Sequence, residues 1–359
     1  MSILNIALLF GGVSSEHDVS RVSAKNFGDS LSPERYAIHR VGITKDGRWL
    51  YYTGPADKMP DGSWEQDENC RPCVLSPDRS HHGLLLLGDG KPEIIHIDVA
   101  VPALHGKNGE DGTMQGLFEL AGIPYVGCGV LASAVCMDKA VANALLDAAG
   151  IPRCAWDWAN RWQCETRFDS LADHLEQKLG YPIFVKPANA GSSVGISKAE
   201  NREQLKTAVD VALKEDDKLV FERFVKGHEV ECAVIGNDPC VSTLPGEILA
   251  SEEFYTYEDK YLLGQSRTLI PANLPEQKLR EVKDWAEKAY TALGCEGLAR
   301  CDFFVEDDGS ILINEINTLP GFTAISMYPK LMEAAGTPAE ELADRLIQLA
   351  LDRAEAHNG

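Results

Sequence analysis

Asp302 and Glu315 fall in two short apolar stretches, residues 297–305 and 310–316, joined by Asp307-Asp308-Gly309, and Asn317 follows the second directly. An Asp-Gly step between apolar runs is a hairpin signal, so the stretches are expected to pair as strands. Residues two apart on a strand share a face, which sets Arg300 with Asp302 and Glu315 with Asn317. Two carboxylates and an amide oxygen are hard donors, suited to Mg²⁺ shared with phosphates. Arg300 beside them puts positive charge where a phosphoryl group or an oxyanion forms. A plain surface hairpin does not require Asp and Glu on strands as apolar as residues 311–313. Charges at inward positions have a partner or a function.

A second group follows the same logic. Lys186 ends the run Phe184-Val185-Lys186-Pro187, and Gly191-Ser192-Ser193-Val194-Gly195 comes next. A lysine at the end of a buried strand neutralises phosphates, and glycines let backbone N–H groups approach oxyanions. The spacing is not that of a P-loop. Phe221-Glu222-Arg223-Phe224-Val225, followed by Glu229, reads either as a hinge that stacks an adenine or, equally, as an edge strand with solvated charges. Gly11-Gly12-Val13-Ser14-Ser15-Glu16 joins a strand to a helix, where N–H groups and the helix dipole favour anions. Ser14 or Ser15 capping the helix is the simpler account, and Glu16 suits an ammonium. His105 opens a loop with three glycines, 106, 109 and 112, at the carboxyl edge of a sheet, where open α/β folds bind ligands. A lone loop histidine is more often merely solvated.

These groups must be carried by a sizeable scaffold. The 359 residues suit two or three domains, and 44% hydrophobic with 25% charged residues is ordinary for a globular chain. Residues 3–10, 36–44 and 94–104 read as continuous apolar strands, with helices at 19–31 and 113–121. That pattern is a parallel sheet covered on both faces. Residues 54–92, rich in Pro, Gly and Asp, read as a surface excursion, with only 74–75 and 84–87 as possible strands. One long helix is expected over 131–149, stopped by Gly150 and Pro152. Strands at 182–187 and 219–224, with a helix at 202–214 between them, precede a β-rich tail: strands at 229–235, 240–248, 297–305 and 310–316. A helix at 276–293 interrupts it, and helices at 326–335 and 338–354 close the chain.

The net charge of −21 argues against nucleic acid and anionic membranes as partners, so any phosphate must be held by local basic residues or by magnesium. The first apolar run has no basic flank and no cleavage pattern, and no stretch reads as a membrane helix, which makes the cytoplasm the expected location. Ten scattered cysteines fit reduced, mostly buried thiols. Cys70 and Cys73 form a CxxC pair, but no second pair follows at matching spacing, and the pair reads as incidental.

Taken together, the chain resembles the D-alanine–D-alanine ligases of the ATP-grasp superfamily. The resemblance rests on GGVSSEHDVS (11–20), LHGKNGEDGTMQG (104–116), YVGCGVLASAVCMDK (125–139), FVKPANAGSSVG (184–195), FERFVKGHEVECAV (221–234), FYTYEDKY (254–261), GLARCDFF (297–304) and INEINTLPGFTAISMYP (313–329). They run in family order over nearly the whole chain. The resemblance implies an α/β fold: an N-terminal parallel-sheet, substrate-binding domain at 1–137, a central ATP-grasp lobe at 138–224 and a C-terminal catalytic lobe at 225–359. It implies that Lys139, Lys186 and Lys260 reach the phosphates, and that Glu222, Phe224, Val225, Glu229 and Phe304 surround adenine and ribose. Asp302, Glu315 and Asn317 would bind two Mg²⁺, with Mn²⁺ as a substitute. Glu16 would hold the ammonium of the first D-alanine, with His105 near its carboxylate. Arg300 and the Gly321 N–H would form the oxyanion site. Ser192, Tyr261 and Glu16 would form a hydrogen-bonded group, and Ser326, with Met327 beside it, would bind the second substrate. A homodimer is also implied.

The chemistry expected of such a site is transfer of the ATP γ-phosphate to one D-alanine carboxylate, then attack by the amine of a second D-alanine. Residues 245–265 are expected to form a lid, since acyl phosphates hydrolyse unless water is excluded. The nearest rivals make D-alanyl-D-lactate or D-alanyl-D-serine. Tyr257 and Tyr261 in the lid, and Met327 where the resistance-type ligases often carry Arg, favour D-alanine. A biotin-dependent carboxylase fragment would require bicarbonate and a carrier. A non-catalytic nucleotide-binding module would be expected to lack an acidic ligand or the oxyanion Arg.

Overall fold

The computed structural model describes residues 3–191, 194–249 and 267–358. Its strands form three sheets. The first has the strand Leu4–Gly11 near one edge, flanked by Tyr36–Ile43 and Val99–Pro102, both parallel to it. Ile6 to Phe10 are wholly buried. Ile6, Leu8 and Phe10 belong to one core and Ala7 and Leu9 to another, so both faces of the strand are covered and no polar alternation is possible. The helix His17–Asp29 covers the first face with Ala24 and Phe27, and Thr113–Ala121 covers the second with Met114 and Phe118.

Four local expectations are corrected here. The strand expected over 94–104 is two strands, Glu93–His96 and Val99–Pro102, which lie at opposite ends of the seven-stranded path. Only Ile97 and Asp98 separate them, too few to cross a flat sheet, so the path curls back on itself. Residues 54–92 are not a surface excursion. The possible strands at 74–75 and 84–87 are present as the antiparallel strands Cys70–Leu75 and Gly83–Leu86, part of the first sheet, and Met59 and Trp64 are fully buried, Trp64 edge-on to Phe10 at 4.8 Å. The sheet is thus parallel at its core and antiparallel in its extension. The long helix expected over 131–149 breaks at Asp138 into Val130–Met137 and Lys139–Ala148; the Asp138 side chain accepts from the N–H groups of Ala140 and Val141 and restarts the helix. Residues 240–248 form two short strands, Val241–Ser242 and Gly246–Leu249, interrupted at Pro245, which has no N–H to give a ladder.

The second sheet is four-stranded: Trp156–Asn160, Lys218–Arg223, Ile183–Pro187 and Ser197–Ala199, backed by helices Phe168–Lys178 and Arg202–Ala212. The third is antiparallel and centred on Gly227–Ile235, Leu298–Glu306 and Ile311–Asn317. Helix Glu276–Ala292 covers one face of it through Leu279, Val282, Ala286 and Tyr290. The closing helices Met327–Ala334 and Ala339–Asn358 join the first sheet to the third: Tyr328, Leu331, Leu346 and Ile347 share a core with Ile6, Leu8, Ala233 and Ile235. No helix among the described residues is long and apolar enough to cross a membrane. Cys70 and Cys73 are three apart on one strand and so point to opposite faces, and burial pushes the thiols up to about 11 and about 12. They do not form a pair.

Candidate active site

A cavity of about 860 Å³ opens where loops of the first sheet meet the facing sides of the other two. Its floor lies on the side of the third sheet opposite helix Glu276–Ala292, beyond the part that helix Met327–Ala334 covers. On strand Leu298–Glu306, Ala299, Cys301, Phe303 and Val305 enter the helix-covered core, which turns Arg300, Asp302 and Phe304 to the cavity. Strand Gly227–Ile235 likewise buries Val230, Cys232 and Val234 and offers Glu229 and Glu231.

Strand Ile311–Asn317 needs a correction of phase to join them. Ile311 and Ile313 enter the core, and strict alternation would send Glu315 and Asn317 after them. A bulge intervenes: Phe303 pairs with Ile313 but Asp302 pairs with Glu315, leaving Asn314 without a counterpart. After it Ile316 takes the core position, and Glu315 and Asn317 turn to the cavity opposite Asp302 and Arg300.

Arg300 is the hub of this floor. Its Nε and Nη2 donate to the two oxygens of Asp302, each at 2.7 Å, and Nε lies 3.0 Å from Glu231 Oε2. Burial works against the guanidinium charge, but the Asp302 and Glu231 carboxylates outweigh it and hold its pKa well above the ordinary value. Glu231 went unnoticed as a site residue in the sequence. Its signal was present: it lies two residues beyond Glu229 on one strand, and register sets it opposite Asp302.

The roof comes from the four-stranded sheet. Lys186 Nζ is 2.6 Å from Glu222 Oε2 and donates to Asn314 Oδ1 at 3.3 Å. Burial opposes both charges, yet each stabilises the other: the Lys186 pKa is raised and that of Glu222 lowered. Phe224 stacks on Phe184 at 5.9 Å, and Lys198 Nζ sits 4.8 Å over the Phe224 ring. Val225 follows on the cavity wall. The break at Asp138 sets Lys139 at a helix start, with Nζ donating to the Ala190 carbonyl at 2.8 Å and 3.8 Å from Glu315.

The third wall carries Glu16 and His105. Both are buried. A Cβ on Gly106 or on Gly191 would lie 2.7 Å from Glu16 Oε2, so these glycines make room for the carboxylate between two loops. His105 is not a solvated loop residue. Its Nδ1 donates to the Leu319 carbonyl at 3.1 Å and Nε2 meets the Ser23 hydroxyl at 2.9 Å, tying the first helix to the segment after Asn317. Burial disfavours its protonation, but Glu110 and Glu16 outweigh that and raise its pKa above 6.5. Gly321, Ser326 and Met327 close this end; the Ser326 hydroxyl bonds Thr323 Oγ1 at 2.8 Å. Ser192, Tyr257, Lys260 and Tyr261 lie outside the described residues, as does the expected lid from residue 250 to 265.

Among the described residues, no group of three or more His, Cys, Asp or Glu side chains forms a closed metal cage. Asp302, Glu315 and the amide of Asn317 instead fit an ion that keeps waters and takes phosphate oxygens as its remaining ligands. Carboxylates and Arg300 on the floor, with lysines on the roof, can hold a metal–triphosphate complex between them.

Two family models match the chain: D-ala D-ala ligase N-terminus over residues 5–128 and D-ala D-ala ligase C-terminus over residues 145–348. It is 48% identical to a D-alanine–D-alanine ligase of Caldicellulosiruptor bescii, over 98% of this chain and 96% of the relative. The corresponding protein of Acetivibrio thermocellus is 47% identical, covering 97% and 96%. Among solved structures, the VanG D-Ala:D-Ser ligase of Enterococcus faecalis superposes with a TM-score of 0.89 at 39% identity, covering 97% of this chain and 100% of that one. The D-alanine–D-alanine ligase of Coxiella burnetii does so with 0.83 at 34%, covering 100% and 97%.

Proposed function

The chain belongs to the D-alanine–D-alanine ligase family, and from that premise we propose that its cavity joins two D-alanines at the expense of ATP, forming ADP and the dipeptide used in peptidoglycan precursors. One observation carries the reading: the acidic floor, the lysine roof and the Glu16 wall line a single cavity. Around it, the three sheets support a division into an N-terminal part to residue 137, a central lobe to 224 and a C-terminal lobe beyond.

Each step follows from the groups in reach. Glu16, boxed by glycine backbone, holds the ammonium of the first D-alanine and so aims its carboxylate inward. His105 fixes the loop beside it. Lys139 and Lys186 draw the triphosphate to the roof, while Phe224, Val225, Glu222, Glu229 and Phe304 enclose the nucleoside. Two Mg²⁺, replaceable by Mn²⁺, on Asp302, Glu315 and Asn317 would offset the repulsion between the phosphates and the attacking carboxylate. By the family resemblance, Lys260 would add charge and residues 245–265 would serve as the lid that excludes water. The first carboxylate becomes an acyl phosphate. The second D-alanine, its carboxylate at Ser326, attacks the acyl carbon. Arg300 and the Gly321 N–H stabilise the oxyanion, and phosphate leaves. By the same resemblance, Ser192 and Tyr261 would join Glu16 in one hydrogen-bonded group. A homodimer and a cytoplasmic location are the remaining parts of the proposal, carried by the family resemblance.

D-Serine as second substrate is the other reading, favoured by the likeness to the D-Ala:D-Ser ligase. Met327 beside Ser326 opposes it, since a thioether suits a methyl group and gives a hydroxyl only a weak partner. ADP release measured with D-alanine alone, then with D-serine or D-lactate added, decides between them. Turnover with D-alanine alone is expected; turnover only in the presence of D-serine or D-lactate would overturn the assignment.

A further inference from the structure

Taking as its basis the reading that Lys186 holds the phosphates of ATP, we propose that Arg153 is a positioning residue for nucleotide binding, which takes over the Glu222 carboxylate when Lys186 turns to the phosphates. Arg153 does not line the cavity; it lies behind Glu222. Its side chain is only 3% exposed, and its Nη2 stands 3.5 Å from Glu222 Oε1. That is ion-pair range but longer than a charge-assisted hydrogen bond. Among the described residues, Arg153 Nε and Nη1 have no hydrogen-bond partner. The guanidinium lies 4.8 Å over the Trp156 ring, and Nη1 is 3.7 Å from Asp147, whose other oxygen accepts from Trp156 Nε1 at 2.8 Å. A buried cation with donors to spare is therefore framed beside a carboxylate that now spends its short contact, 2.6 Å, on Lys186. Burial disfavours the Arg153 charge more than its acidic neighbours favour it, so a closer carboxylate is stabilising.

The physical need for such a residue is plain. A triphosphate attracts Lys186 away from Glu222. Without a second cation in reach, a buried carboxylate that loses Lys186 is strongly disfavoured, and would hold the lysine back. With Arg153 in place, Glu222 passes from one cation to the other with a shift of under about an ångström, the gap between the present contact and an ordinary charged hydrogen bond. The backbone links the same device to the floor. Ile313 N–H donates to the Pro152 carbonyl at 2.8 Å, Arg153 bridges Ile313, and the next residue is the bulged Asn314 that Lys186 also contacts.

The test is an equilibrium titration with a non-hydrolysable ATP analogue and Mg²⁺, without D-alanine, on the full chain and its variants. Arg153→Met should weaken nucleotide binding about tenfold, equivalent to roughly 1.4 kcal/mol. Arg153→Lys should lie nearer the unaltered protein, and the KM for D-alanine should not move. In a Glu222→Gln background, which removes the charge that Arg153 serves, Arg153→Met should add nothing. Arg153→Gln replaces the Met variant if the latter does not fold. Unchanged nucleotide affinity in the Met or Gln variant, or an equal penalty in the Glu222→Gln background, overturns the proposal. Failure of the unaltered protein to bind the analogue overturns the reading beneath it as well.

Discussion

Two buried ion groups flank the cavity, and one is the inverse of the other. On the floor a cation, Arg300, sits between two carboxylates, Asp302 and Glu231. On the roof a carboxylate, Glu222, sits between two cations, Lys186 and Arg153. The floor keeps an excess of negative charge, increased by Glu315, and suits a divalent cation. The roof keeps an excess of positive charge and suits phosphate. A chain of net charge −21 can thus receive an anionic nucleotide because the sign is sorted locally. The groups differ in construction as well. Arg300, Asp302 and Glu231 lie on two neighbouring strands in register, with both oxygens of Asp302 engaged. Glu222 is served from scattered segments, with Asn143 donating to it at 3.3 Å. On the proposed exchange, the floor is a fixed platform and the roof a set of exchangeable contacts.

That contrast can be broken in three ways. The largest effect is expected from Glu315→Ala, which removes a carboxylate proposed to hold the metal and whose ion-pair contact, with Lys139 at 3.8 Å, is long. ADP formation should fall below detection while the unfolding temperature stays close to that of the unaltered protein. Near-normal turnover would refute the metal role. Next, Arg300→Met should lower kcat by about 10²–10³-fold. It should also destabilise the fold by roughly 3–5 kcal/mol, because two buried carboxylates lose their cation. Lys186→Met should instead raise the KM for ATP and destabilise less, since Glu222 retains Arg153. Chemical denaturation of the two variants side by side measures this. Equal losses of stability would mean that the roof is as rigid as the floor.

The smallest effect concerns pH. The folded pKa of His105 is raised above 6.5, so its contribution is complete below pH 6.5 and is lost as pH rises through the raised value. Glu222 behaves in the opposite sense: its pKa is lowered from 4.5, so its contribution is present above pH 4.5 and lost as pH falls through the lowered value. The unfolding temperature should therefore fall on both sides of a plateau. Glu110→Gln should flatten the alkaline limb by a few degrees and leave the acid limb alone; an unchanged alkaline limb would remove His105 as its cause.

Much of this was legible in the sequence, because period and residue type are local properties. The continuous run at 3–10 announced a strand covered on both sides, and the i, i+2 spacing of Arg300 with Asp302 announced a shared face. Motif order was enough to name the family and to nominate residues that prove to line one cavity. Tertiary structure decided the rest. The capping contact of Asp138, which stops one helix and starts another, sets Lys139 beside Ala190, although the apolar pattern read straight through. Arg153 carries no motif and faces Glu222 only because distant strands pack together. Most of all, Glu315 and Asn317 reach the cavity through a bulge at Asn314. A bulge is set by how two strands pair, not by either strand alone, so the alternation of residues 311–317 could not disclose which face the acidic residues would take.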